Sequence, residues 1–196
     1  MYERPEDLWQ AAWQLLTRAN KDRKHAYRTA TVSTVTPSGY PSARTVVMRN
    51  ANRENFTLRL YTDRRSHKVA QLEKTPRLHW LFWDPKKQIQ FSGVGEVVFW
   101  PPDQARELFI QLPKHGRKAY ATVIGPGEPA REKTDGLPPN WSVLELEETD
   151  YAAENFLVVE TRLFKVDLLY LDRECGNQRL NAQRSGDDWK LNWMVP

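Results

Sequence analysis

After residue 20 the hydrophobic period of this chain falls from about 3.6 residues to about 2, and the extended segments that follow are separated only by turns. "YRTATVSTVT" (27–36) is dense in Thr and Val, "PSGYPS" (37–42) is turn chemistry, and "ARTVVMR" (43–49) resumes as a strand. "NANREN" (50–55) supplies another turn before "FTLRLYT" (56–62), where Phe56, Leu58 and Leu60 alternate inward against polar residues or Tyr61. Strands joined so closely form an antiparallel meander, because a parallel crossover needs roughly a dozen residues or more.

The remaining segments extend this pattern. Residues 5–20, "PEDLWQAAWQLLTRAN", set Leu8, Ala12, Leu15 and Ala19 on one stripe beside Trp9, Trp13 and Leu16, with acids near the start, which predicts an amphipathic N-terminal helix. Ser66 is expected to cap a short helix, "HKVAQLEKT", that stops at Pro76. "RLHWLFW" (77–83) and "QIQFSGVGEVVFW" (88–100) flank the turn "DPKK" as a long antiparallel pair, with Gly93 and Gly95 marking a bulge or a close backbone approach. "PPDQARELFIQL" (101–112) reads as a further helix. From about 113 to 150 the period is lost in stretches such as "GPGEPAREKTDGLPPN", which reads as a long, partly mobile excursion within one domain. "ENFLVVETRLFKVDLLYLD" (154–172) returns to strand composition, and "QRLNAQRSGDDWKLNWMVP" (178–196) is a final hairpin turned at "SGDD". The expected fold is mainly β: a single domain over residues 1–196, an antiparallel barrel of six or seven strands with two or three peripheral helices.

Charge and composition narrow the partners. The 29 Lys and Arg against 25 Asp and Glu leave a formal charge of +4, which admits anionic ligands but does not demand nucleic acid. The single cysteine, Cys175, cannot close an intramolecular disulfide, and the start lacks the apolar run of a signal peptide, so a reducing, cytoplasmic setting is expected. No apolar run approaches the roughly 20 residues of a membrane helix. His25, His67, His79 and His115 have no ligand-like spacing, so no metal is expected, and Cys175 has the surroundings of a bland thiol.

The chemistry-bearing candidates are basic and amide side chains at strand ends. Arg44 and Arg49 bracket the apolar "TVVM", an arrangement that also describes any strand emerging into water. Ser66, His67 and Lys68 open a helix, where unpaired backbone N–H groups and added positive charge suit a phosphate; Arg64 and Arg65 just ahead read as a solvated loop. Gln88 follows a turn directly, and its amide can both donate to and accept from a planar heterocycle. Trp80, Phe82 and Trp83 are either core packing or stacking platforms for single-stranded nucleic acid.

Taken in order, "ARTVVMR", "YTDRRSHKVAQLEKTPRLHWLFW" and "KKQIQFSGVGEVV" resemble the pyridoxamine 5′-phosphate oxidase-like, FMN-binding split-barrel family, over residues 28–100 and again from "FKVDLLYLD" to "WKLNWMVP" (164–196). The resemblance implies FMN as cofactor, with Arg44 and Lys68 on its phosphate and Ser66 and His67 helping. It implies that Thr45, Val46, Val47 and Arg49 line the flavin and ribityl chain, Tyr61 and Thr62 contact the ribityl-phosphate region, and Gln88 meets the isoalloxazine edge. Arg179, in "NQRLNAQ", falls where the family reaches FMN from the partner subunit, so a homodimer with flavin at its interface is implied. The family's substrate-phosphate positions fall instead on Cys175 and Asn177 and, by a looser alignment, on Phe109, Pro113 and Arg117. An FMN-dependent oxidoreductase on an unidentified substrate is the leading reading. A flavin carrier or sensor, an authentic pyridoxamine or pyridoxine 5′-phosphate oxidase, and a basic barrel for single-stranded nucleic acid stand beside it.

Overall fold

The computed structural model describes residues 1–172 and 174–196. Among them run eight strands, β1 (Thr29–Val35), β2 (Pro41–Asn52), β3 (Thr57–Asp63), β4 (Arg77–Asp84), β5 (Ile89–Phe99), β6 (Phe156–Tyr170), β7 (Gln178–Ser185) and β8 (Asp188–Met194), with helices α1 (Pro5–Lys21), α2 (His67–Lys74), α3 (Pro102–Ile110) and the single turn α4 (Lys114–Arg117). Every pairing is antiparallel, in the order β3-β2-β1-β4-β5-β6-β7-β8, and β3 also pairs with β6. That extra pairing closes a barrel of six strands, within the six or seven expected, and leaves β7 and β8 outside it as an added hairpin.

Strand β6 makes closure and extension compatible. Its residues 156–162 pair with β3, and its residues 165–170 pair with β7 along the same edge. Against β5 the register slips, Val94 facing Lys165 while Gly95 faces Leu163, so Phe164 is an extra residue on β6. The buried set accordingly runs Val159, Thr161, Leu163 and then Val166, Leu168. Gly95 is required at this bulge: a Cβ there would lie 2.6 Å from the Thr161 methyl and collide with the Arg162 carbonyl.

The barrel is filled as the strand period demands. Ala30, Val32, Met48, Leu58, Leu60, Trp80, Phe82 and Phe91 are all buried. Trp80 satisfies its indole N–H on buried Thr161 Oγ1 at 3.0 Å and stacks on Phe82, so both rings are core and neither is a platform for bases; Trp83 alone of the trio is exposed. α1 begins with Pro5 and acids Glu6 and Asp7, ends with Arg18 and Lys21, and buries Leu8, Trp9, Ala12, Trp13, Leu16 and Ala19 against the barrel.

The stretch 113–150, aperiodic in sequence, is docked on the barrel by a second core. Phe109 of α3, Tyr120, Trp141 and Ala152 pack with Phe156 and Val158 of β6. Arg117, fully buried, holds the backbone around it. Its guanidinium donates to the carbonyls of Ile110, Leu112 and Leu146 at 2.8–3.0 Å, to Thr149 Oγ1 and to Asp150 Oδ1 at 2.7 Å, and it lies over the Phe109 ring.

Candidate functional site

Strand β2 carries a second bulge. Met48 faces Leu60 and Asn50 faces Arg59, so Arg49 has no opposite number and its side chain turns across the sheet to lie over the Tyr61 ring, 5.2 Å from its centroid. Earlier in the strand Arg44 faces Val32 of β1 and points with it toward the barrel interior. There it donates to Thr34 Oγ1 at 2.6 Å and Ser42 Oγ at 2.7 Å, hydroxyls rather than carboxylates.

Helix α2 starts opposite. Ser66 occupies the N-cap position but its hydroxyl makes no capping bond: it donates to the Asp63 carbonyl at 2.7 Å and accepts from Lys68 Nζ at 3.0 Å. Lys68 Nζ also donates to Thr62 Oγ1 at 2.9 Å. Among the described residues, the backbone N–H groups of His67 and Lys68 find no partner, as a helix start without a side-chain cap dictates.

These elements enclose a cavity of about 280 Å³. Arg44, Thr45, Val46, Val47 and Arg49 line it from β2, Tyr61, Thr62 and Asp63 from β3, and Lys68 from α2. Burial, with the nearby charge of Arg44, pushes the Lys68 ammonium below its ordinary pKa, Asp63 opposing; burial also lowers Arg44. Asp63 is the acid in this lining, and Arg65 holds it through both oxygens, at 2.6 and 3.0 Å. Among the described residues Arg44 and Lys68 form no ion pair, so two partly desolvated cations share one cavity whose lining carboxylate, Asp63, is paired with Arg65. That donor set fits a phosphate dianion.

The sequence reading missed the cavity's outer wall. Ala119, Tyr120 and Pro126, from the aperiodic stretch, complete the lining. Burial raises the Tyr120 phenol to about 12, with Arg49 acting the other way, and Tyr61 is likewise raised by burial, so both are protonated at neutral pH. Arg65 is not a solvated loop residue: it reaches Thr122 O at 2.9 Å and Thr122 Oγ1 at 3.0 Å and ties this wall to the end of β3, whereas Arg64 is exposed as expected. No period or motif marks Tyr120; the one local clue was the aromatic itself amid a polar stretch.

Three of the sequence candidates lie away from the lining. His67 points to solvent with Nε2 3.3 Å from Glu128 Oε1. Gln88 sits in the left-handed region at φ 55 and donates one amide proton to the Pro85 carbonyl at 2.7 Å, so it precedes β5 rather than opening it. Arg179, on β7, pairs with Asp167 at 3.0 Å and is half-exposed. Ser66 is buried beside the cavity and acts through Lys68. Of the looser candidates, Phe109 is fully buried, Pro113 precedes α4, and Arg117 is fully buried with every guanidinium nitrogen hydrogen-bonded to protein. Among the described residues no cluster of three or more His, Cys, Asp or Glu could hold a metal ion, and no helix is long and apolar enough to cross a membrane.

Residues 7–101 match the family model described as pyridoxamine 5′-phosphate oxidase, FMN-binding domain. The chain is 30% identical over 125 residues to pyridoxine/pyridoxamine 5′-phosphate oxidase 1 of Ralstonia nicotianae, an alignment that covers 62% of this chain and 52% of that protein. It is 36% identical over 72 residues to pyridoxine/pyridoxamine 5′-phosphate oxidase of Ralstonia pickettii, covering 35% and 32%. The matches thus span only between 32% and 52% of the curated relatives' length. A solved pyridoxamine 5′-phosphate oxidase-related, FMN-binding protein from Nostoc punctiforme superposes with a TM-score of 0.72 at 22% identity, covering 96% of this chain and 97% of the other. PhzG from Burkholderia lata, solved with tetrahydrophenazine-1-carboxylic acid, superposes at 0.74 with 14% identity, covering 100% and 98%. At those identities the two structures establish the fold.

Proposed function

Because the chain belongs to the pyridoxamine 5′-phosphate oxidase-like FMN-binding split-barrel family, with FMN as its cofactor, we propose that it is a flavin-dependent oxidoreductase acting on a small molecule other than a vitamin B6 phosphate. The observation that carries the reading is the Arg44–Lys68 pair: two cations without a carboxylate partner, at the unfilled first turn of α2. In this reading Arg44 and Lys68 bind the FMN phosphate, Thr62 and Ser66 fix the Lys68 ammonium, and Thr45, Val46 and Val47 line the ribityl chain and ring together with Tyr61 and Arg49. When bound, FMN supplies hydride acceptance and donation at its N5. Tyr61 and Tyr120, held protonated by burial, act as walls and hydrogen donors, not as bases.

A single-domain chain working as a homodimer is part of the proposal. A cavity of 280 Å³ is below the roughly 300–1,000 Å³ typical of organic-ligand pockets, so a second surface is needed to cover a whole flavin. Arg179 of the partner subunit and the free half of the Gln88 amide fit that need, Arg179 by exchanging Asp167 for the cofactor. A reducing, cytoplasmic compartment accords with the exposed free thiol of Cys175. Oxidation of a vitamin B6 phosphate is disfavoured because Cys175 and Asn177 bring no positive charge and Arg117 is fully buried and bonded to protein acceptors.

Anaerobic addition of NADH, NADPH and other hydride donors to the FMN-loaded protein tests the reading. Bleaching of the visible flavin absorbance by at least one donor, with turnover on re-oxidation, is expected; absorbance unmoved by every donor would make the protein a carrier or sensor.

A further inference from the structure

A second cavity, of about 410 Å³, opens between the C-terminal turns of α1, the link that follows them and the β4–β5 turn, and shares no lining residue with the first. Leu15, Ala26 and Pro85 form its apolar wall. Arg18, Lys24, Lys86 and Lys87 form its rim, and among the described residues none of the four side chains makes an ion pair or hydrogen bond.

Two carboxylates also reach this cavity. Asp22 Oδ1 accepts from the Lys24 backbone N–H at 2.9 Å, and buried Asp84 accepts through Oδ1 from the backbone N–H groups of Lys86 and Lys87, each at 2.9 Å. Four cations against two carboxylates leave a surplus of two positive charges, that of a phosphate monoester's counterion.

His25 points to a ligand independently. Its side chain is only 9% exposed, and Nδ1 accepts from the Tyr27 backbone N–H at 3.1 Å, which places the proton of the neutral ring on Nε2. Nε2 lies 3.9 Å from Asp84 Oδ2, beyond hydrogen-bond length, and among the described residues no other acceptor reaches it. A donor that opens into a cavity from a side chain about nine-tenths buried, and makes no hydrogen bond there, is a place for an oxygen or nitrogen of an incoming molecule.

We propose that this cavity is a second ligand site, for a small phosphomonoester with a flat apolar body: phosphate at the lysine rim, body against Leu15, Ala26 and Pro85, and a polar atom of the body accepting from His25 Nε2. The site is independent of the flavin and does not rest on the oxidoreductase reading.

Calorimetric titration of the FMN-saturated protein with adenosine 5′-monophosphate, and with adenosine as the uncharged control, tests it. Saturable binding of the monophosphate at one site per chain is expected, at least tenfold tighter than adenosine. Arg18→Glu and Lys86→Glu should each weaken it at least tenfold while FMN content and far-UV circular dichroism stay unchanged; both side chains are exposed, so folding is not at stake. Absence of monophosphate binding, equal binding of adenosine, or indifference to both charge reversals would overturn the proposal.

Discussion

One wall of the Arg44 cavity is built from residues 44–68, where a strand, a turn, a strand and a helix start follow each other directly; the opposite wall, Ala119 to Pro126, is carried in from beyond β5. The two walls use an arginine in opposite ways. Arg44 meets two hydroxyls and, at 3.4 Å, the Gln71 amide oxygen, none of them charged, whereas Arg117, behind the far wall, donates to three carbonyls, Thr149 and Asp150. An arginine left short of acceptors is available to a ligand. One that the protein engages at every guanidinium nitrogen is a strut.

Exchanging the two roles by mutation gives the largest effect. Arg117→Ala should cost about 3 kcal/mol or more, because it strips several buried acceptors at once and leaves Asp150 unpaired. The expected readout is a lower urea midpoint together with rapid proteolysis within 113–150; an unchanged midpoint would show that the far wall does not depend on this strut. Arg44→Ala should do the reverse, sparing the fold and weakening FMN about 10- to 100-fold while riboflavin, which lacks the phosphate, changes little. Equal losses for both flavins would remove the phosphate assignment.

The smallest effect is a pH dependence. Since Lys68 has a lowered pKa in the fold, FMN affinity should decline as pH rises through that lowered value, and Lys68→Arg should flatten the decline. The flavin-free protein carries the opposite sign. Between the lowered value and 10.5 the unfolded chain binds more protons than the folded one, so stability attributable to Lys68 increases with pH there. Fluorescence titration of FMN across alkaline pH, and denaturation midpoints of the apoprotein over the same range, measure the two trends.

The near wall was legible because local rules govern it. The Thr- and Val-rich alternation of residues 29–35, the turn at Gly39 and the cap position at Ser66 each specify one element, and the barrel follows from their order. Gly95 announced its bulge because only a missing Cβ fits beneath the Arg162 carbonyl. The bulge at Arg49 was hidden, for nothing in "VVMRNAN" distinguishes an extra residue from a paired one. The far wall was illegible for another reason: Arg117 satisfies carbonyls at Ile110, Leu112 and Leu146, and carbonyls are common to all residues. Arg65 shows the same blindness, since its grip on Thr122 spans 57 positions.

Phe164, the unpaired residue of β6, acts as a phase shifter. Before it odd-numbered side chains face the core and after it even-numbered ones do, so a single strand serves both the closed barrel and the external hairpin. Were Phe164 paired as an ordinary strand residue, Lys165, Asp167 and Leu169 would be driven inward in place of Val166 and Leu168, and the hairpin that carries Arg179 would present its other face.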